Sequence, residues 1–341
     1  MARSGVVEVE GLVKVYPGGT RAVDGIEFAV EAGELFGFLG PNGAGKSTTL
    51  KILATLLRKT SGRVMVAGHD VERDPKAVRK AVGFAMQDVG LDDLATGRDF
   101  LTLQGLLYRL PRAEAKRRAE ELLDIVGLTS VAGRRVGAYS GGMRRRIDLA
   151  AALVHRPSVL FLDEPTTGLD PQSRLAVWDY LQELSHEGVT VFLTTQMMEE
   201  ADRLCRRIAI VDAGKIVAEG SPEELKRRVG GDVVRVVLQG GAYAGAGASA
   251  AGAALRDRPY VSDLAESDGA ISVRVEDGAA VAPDILHVLR EAGLPAAEVS
   301  ISSPSLDDVF LGYTGHTIRA EDATGDESGR LARPWLGLNR R

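Results

Sequence analysis

Four short stretches of the chain are apolar without interruption: the hydrophobic parts of "ELFGFLG", "SVLFLDE", "VTVFLTT" and "RIAIVDAG". Runs of this length, bounded by turn or polar residues and lacking polar alternation, predict strands in the middle of a sheet. Between residues 6 and 220 they alternate with helical patterns, which predicts a sheet flanked by helices. From about residue 91 to 155 the strand signal stops, and "DFLTLQGLLYRL" and "AEAKRRAEELLDIVGL" repeat apolar residues at helical spacing. That segment is expected to be a helical insert. After "SPEELKRRVGG" the pattern changes again: "DVVRVVLQ", "AISVRVED" and "AEVSIS" read as strands and "APDILHVLREAG" as a helix. The tract "GGAYAGAGASAAGAAL" reads as loop or weak helix, and "LDDVFLGY" as a helix burying Leu306, Val309 and Phe310. Residues 231–316 are therefore expected to form a second, small α+β domain. Residues 319–341 are polar and charged and are expected to be disordered.

The chemistry lies at the ends of the strands. "GPNGAGKST" comprises Gly40, Pro41, Asn42, Gly43, Ala44, Gly45, Lys46, Ser47 and Thr48, and sits between a strand and the helical pattern "TTLKILATLL". It fits the phosphate-binding loop G-x-x-x-x-G-K-[ST]: backbone N–H groups curl around phosphate oxygens and a helix N-terminus adds positive potential. Lys46 bridges the β- and γ-phosphates, and the Ser47 hydroxyl can ligate Mg²⁺. "VLFLDE" places Asp163 at a strand end, where it can hold the metal shell, and Glu164 next to it can take a proton from, or orient, the attacking water. "YSGGM" precedes the helical "RRRIDLAAALV", so Ser140 is expected as an N-cap, with Gly141 and Gly142 exposing helix N-terminal amides to an anion. Two phosphate-binding elements in one chain suggest a nucleotide held between the loop of one copy and the second element of another.

The phosphate loop, "YSGGM", "LDEP" and "GLD", in that order over residues 6–220, resemble the ATP-binding subunit of ABC transporters. The resemblance implies an α/β fold, a P-loop ABC ATPase domain with a helical insert followed by the small α+β domain, and a homodimer working with a separate membrane permease. It further implies that Tyr16 stacks on adenine and that Gln87 in "FAMQD" reaches Mg²⁺ and senses the permease. Ser140, Gly141 and Gly142 would contact the γ-phosphate across a head-to-tail dimer, and Asp170 would link the two sites. "PSLDDVFLGYTGH" after the ATPase is similar to the daunorubicin-resistance branch, which implies export of a hydrophobic drug or antibiotic. The signature departs from the family's commonest form at Tyr139 and Met143, with the central Ser-Gly-Gly intact.

A larger departure is Gln196, at the strand end "VFLTTQMMEEAD", where most of these ATPases have a histidine touching the γ-phosphate. An amide can bond a phosphate oxygen and orient water but cannot gain a proton near neutral pH. Gln196 is thus a working substitute for that histidine or a cap of the following helix, and the second option leaves room for a nonhydrolytic, nucleotide-dependent regulator. A soluble ABC-type ATPase outside transport is disfavoured, because such chains usually carry two cassettes or a long coiled coil.

Composition narrows the partners. Lys and Arg number 42 against 47 Asp and Glu, for a net charge of -5, which gives no whole-chain reason to bind nucleic acid. The charge runs "AKRRAEELL" and "MRRRID" read as solvated helix faces. The single cysteine, Cys205, reads as a buried thiol in a reducing cytosol, and the five histidines lack metal-ligand spacing. Without an apolar run of about 18 residues, the expected place is the cytoplasmic side of the membrane, peripheral, through the permease.

Overall fold

The computed structural model describes residues 5–86, 90–239, 246–267 and 270–314. The chain divides into two compact units at residues 222 and 223. In the first, β1 (Val7–Val15), β2 (Arg21–Val30), β3 (Leu35–Leu39), α1 (Lys46–Leu53), β4 (Ser61–Val66) and β5 (His69–Asp70) come first. Then follow α2 (Pro75–Ala81), β6 (Val82–Ala85), α3 (Gly97–Leu107), α4 (Arg112–Ile125), α5 (Gly141–Ala152) and β7 (Val159–Asp163). α6 (Pro171–His186), β8 (Thr190–Thr195), α7 (Met198–Leu204), β9 (Arg207–Asp212) and β10 (Lys215–Gly220) complete it.

Two sheets share this unit. One is antiparallel, in the order β2-β1-β4-β5, and the other runs β10-β9-β3-β8-β7-β6 with parallel pairing from β9 to β6. Every residue of β3, β7 and β8 is buried, which is why their sequences are apolar runs, with polar residues only at the ends of β7 and β8. Phe28 of the antiparallel sheet stacks on Phe36 and Phe192 at centroid distances of 5.7 and 5.8 Å, joining the two sheets in one core.

Parallel register fixes what meets at the carboxyl edge. Leu39 pairs with Thr195 and Asp163 with Thr194, while Ala85 pairs with Leu162. The residues that follow β3, β7 and β8 therefore emerge side by side at one edge: the loop from Gly40, then Glu164, then Gln196. Among the described residues between β6 and β7 there is no strand, and α3 and α4 pack there as a helical pair, as the spacing predicts.

The second unit is built on a four-stranded antiparallel sheet, β12-β13-β11-β14. Its elements are α8 (Pro222–Val229), β11 (Asp232–Leu238), α9 (Ala246–Leu255), β12 (Asp263–Ser267), β13 (Ala270–Val275), α10 (Gly278–Glu291), β14 (Ala296–Ser302) and α11 (Leu306–Thr314). α9 and α10 cover one face, with Val234, Val236, Ile271, Val273, Ile285 and Leu289 at 0% exposure. The small-residue tract is thus helical from Ala246 onward, and β12 is a strand that its polar sequence, "DLAES", hides. Leu306, Val309 and Phe310 are buried, and the stretch from 319 to 341 lies outside the described residues.

Candidate functional site

The loop after β3 is held open by backbone geometry that only glycine enters freely. Gly45, the N-cap of α1, has φ 100°, and a Cβ there would lie 2.3 Å from the carbonyl oxygen of Ala22. Asn42 and Gly43 are exposed at the loop tip, Pro41 is half-buried, and Ala44 and Lys46 are buried. Lys46 Nζ donates to the carbonyl oxygens of Gly40 at 2.7 Å and Pro41 at 3.1 Å, and lies 3.7 Å from Glu164 Oε1. Burial lowers its pKa, while the negative charges of Glu164 and Asp163 oppose that shift.

Beside it, the Ser47 hydroxyl donates to Asp163 Oδ1 at 3.0 Å, and Thr194 Oγ1 donates to the same oxygen at 2.5 Å. Glu164 is 6% exposed and has φ 47°, a left-handed backbone unusual for a residue with a side chain. Its N–H donates to the Thr194 carbonyl at 3.0 Å and its Oε2 accepts from Thr167 Oγ1 at 3.1 Å. A buried cation held by two main-chain carbonyls, with a hydroxyl and a carboxylate in contact next to it, fits a phosphate and a hard divalent cation such as Mg²⁺.

Gln196 follows Thr195, whose carbonyl accepts from the Gly40 N–H at 3.2 Å, so it stands at the root of the phosphate loop. It does not cap α7: the N-cap is Met197, without a side-chain cap, and the Met197 N–H is taken by Thr195 Oγ1 at 2.9 Å. Tyr16 is half-buried, its hydroxyl 3.3 Å from Thr48 Oγ1, which places its ring beside the start of α1. Gln87 lies outside the described residues.

The second anion element is a separate helix end. Ser140 caps α5, its Oγ accepting from the Met143 N–H at 3.3 Å, and Ser140 and Gly141 are exposed. Gly142 is tight instead: a Cβ there would lie 2.3 Å from Ser173 Oγ. Asp170 caps α6 by accepting from the Ser173 N–H at 3.0 Å, and bonds from Ser173 hold its carboxyl below the usual range. The "SGG" and "GLD" segments therefore meet in one chain.

The arginines at 144–146, a solvated face by charge pattern, are in fact engaged. Arg144 pairs with Asp93 at 2.6 Å, Arg146 donates to the Val126 carbonyl at 2.9 Å, and Arg145 is 5% exposed. The helical period turns Arg145 toward the sheet, and main-chain oxygens there make its burial tolerable. Also missed from sequence is Glu200, buried in α7, which accepts from Thr166 Oγ1 at 2.7 Å and Trp178 Nε1 at 3.0 Å. For Thr194 the signal was present, as a polar pair closing an otherwise apolar strand.

These features define the class: a P-loop ATPase with a helical insert. Residues 23–167 match the family model described as ABC transporter, and residues 220–314 match the one described as ATP-binding protein DrrA1-3-like, C-terminal domain. The chain is 45% identical over 318 residues to a daunorubicin resistance ATP-binding protein of Streptomyces coeruleorubidus, covering 93% of this chain and 98% of the relative. It is 44% identical over 328 residues to the daunorubicin/doxorubicin resistance ATP-binding protein of Streptomyces peucetius, covering 94% and 96%. Among solved structures, cbiO1 of Clostridium perfringens, part of an ABC transporter complex, is similar at TM-score 0.61 and 27% identity, covering 67% of this chain and 95% of that one. A dimeric post-hydrolysis ATP-binding cassette bound to ADP and Pi is similar at TM-score 0.58 and 26% identity, covering 63% and 98%. The chain belongs to the ATP-binding proteins of ABC transporters, in the branch that includes the daunorubicin-resistance ATP-binding proteins.

Proposed function

We propose that two copies of this ATPase close on two ATP molecules, and that hydrolysis drives export of a hydrophobic drug or antibiotic through a separate membrane permease. The observation that carries the reading is the contact of Ser47 with Asp163 at 3.0 Å, with buried Glu164 next on the chain. In this reading the loop amides and Lys46 take the β- and γ-phosphates, and Tyr16 stacks on the adenine. Ser47 and Asp163, with Gln87, would hold Mg²⁺, which when bound would neutralise charge on the phosphate oxygens. Glu164 accepts the proton of the attacking water, and Gln196 bonds the γ-phosphate and helps hold that water. Ser140, Gly141 and Gly142 meet the γ-phosphate bound to the other copy, and Asp170 lies between the two sites.

Export is supported by the names of the relatives, which are drug-resistance proteins. Among the described residues no helix is long and apolar enough to cross a membrane, so the path for the drug belongs to another chain. The helical insert supports a membrane partner: Leu94 and Leu107 are 76% and 67% exposed, and Leu103, Leu106 and Ile125 are exposed beside them in sequence or on the paired helix. The chain would then sit on the cytoplasmic side of the membrane, held by the permease.

The test is Glu164→Gln in purified protein. ATP affinity should stay near the parent value while turnover falls roughly 10²-fold or more, as expected for a group that acts in the transition state. Turnover within about twofold of the parent would remove Glu164 from the mechanism.

A further inference from the structure

Arg145 stands five residues after the Ser140 cap, on the second turn of α5, with its guanidinium buried. Its donors go to main-chain oxygens. Nε donates to the Pro165 carbonyl at 2.7 Å, Nη2 to the Asp163 carbonyl at 3.1 Å and Nη1 to the Met86 carbonyl, while Asp148 Oδ2 lies 3.2 Å from Nη1 as counter-charge. The carbonyls of residues 163 and 165 flank a single residue, Glu164, and that residue has the left-handed φ of 47°. A backbone in that region persists only where its surroundings over-determine it. On one side Thr194 accepts the Glu164 N–H, and on the other the planar fork of Arg145 holds the carbonyl of the peptide before Glu164 and that of the residue after it. No other side chain type offers donors in a fixed plane that can span both carbonyls and still reach a third.

We propose that Arg145 is the positioning residue for Glu164: from the helix that begins at Ser140, it fixes the turn that aims the catalytic carboxylate and ties the chain just before Gln87 to the same helix. The proposal rests on Glu164 being the catalytic base. It makes α5 a rigid link, with one end exposed toward the nucleotide of the other copy and Arg145 holding the carboxylate of its own copy. Asp148 keeps the buried guanidinium paired.

The experiment uses the full-length chain, with phosphate release for turnover, a fluorescent ATP analogue for affinity and circular dichroism for the fold. Arg145→Gln and Arg145→Lys are made alone and in the Glu164→Gln background. Arg145→Gln should lower kcat about 10-fold to 100-fold, with KM and analogue affinity within about threefold, because ground-state binding is untouched. Arg145→Lys should recover part of the loss, since an ammonium reaches fewer of the carbonyls. In the Glu164→Gln background the Arg145→Gln change should cost less than about twofold in single-turnover rate, because two residues acting as one unit are not additive. An unchanged kcat, a parallel loss of affinity, or a full multiplicative loss in the double variant would each overturn the proposal. Should Arg145→Gln not fold, Arg145→Lys carries the same criteria. Full turnover in Glu164→Gln alone would instead sink the base assignment, and this proposal with it.

Discussion

Two helix N-termini of this chain are shaped for phosphate, and they differ in how much of a site surrounds them. At the start of α1, Lys46 is buried, Ser47 already touches Asp163, and Glu164 closes the far side. At the start of α5, Ser140 and Gly141 are exposed, and it is the next residue, Gly142, that packs on the capping region of α6 at Ser173 and Asp170. The same backbone device is thus a furnished pocket in one place and an open face in the other. A furnished pocket binds; an open anion-seeking face completes someone else's pocket. In the proposed reading the labour divides accordingly: α1 would set affinity, and α5 what happens after binding.

The sharpest way to break this contrast is to damage each end separately. Lys46→Ala should weaken ATP binding by roughly 10²-fold or more, since it removes the cation from a buried phosphate site. Gly141→Asp, at an exposed position where a Cβ meets nothing within 4 Å, should leave binding of a fluorescent ATP analogue within about threefold while abolishing turnover, because it adds a charge where the γ-phosphate of the other copy is proposed to sit. Equal losses of affinity in both variants would erase the distinction.

A smaller effect sharpens the pocket side. Gln196→Ala should reduce turnover about 10-fold to 10³-fold with ATP affinity nearly intact, whereas unchanged turnover would leave catalysis to Glu164 alone. Gln196→His should bring in a step near pH 6.5, the ordinary histidine value, that the parent lacks in its pH-rate profile.

Much of the pocket was legible because spacing is chemistry there: the loop, Asp163 and Glu164 sit at ends of strands whose burial on both faces makes them stand out as apolar runs. The capping role of Ser140 was legible for the same local reason. Arg145 was not, since three consecutive arginines look alike until the helix turns one of them toward the sheet. β12 was hidden because an edge strand in an antiparallel sheet takes its pattern from a partner, here β13, not from its own sequence. The N-terminal sheet, with its register shifts at Val9, Leu12 and Glu10, likewise depends on pairings that no local pattern states.

A still smaller effect concerns the link between the two ends. Burial raises the Asp148 pKa to about 6 from 3.8, with Arg145 opposing the shift. A carboxyl whose folded pKa lies above its unfolded value binds more protons in the folded state between pH 4 and 6, so stability contributed there declines as pH rises through that window. Asp148→Asn should flatten that part of the melting-temperature profile, and an unchanged slope would show that Asp148 titrates normally.

The central claim is that each nucleotide is held by α1 of one copy and α5 of another. Light scattering on the Glu164→Gln variant with saturating ATP and Mg²⁺ tests it most directly, because slowed hydrolysis preserves the closed state. The account predicts a mass near twice the 36.2 kDa of the chain with ATP, and a monomer when ATP is removed or when Gly141→Asp is added. A monomer at saturating ATP in the Glu164→Gln variant would contradict it.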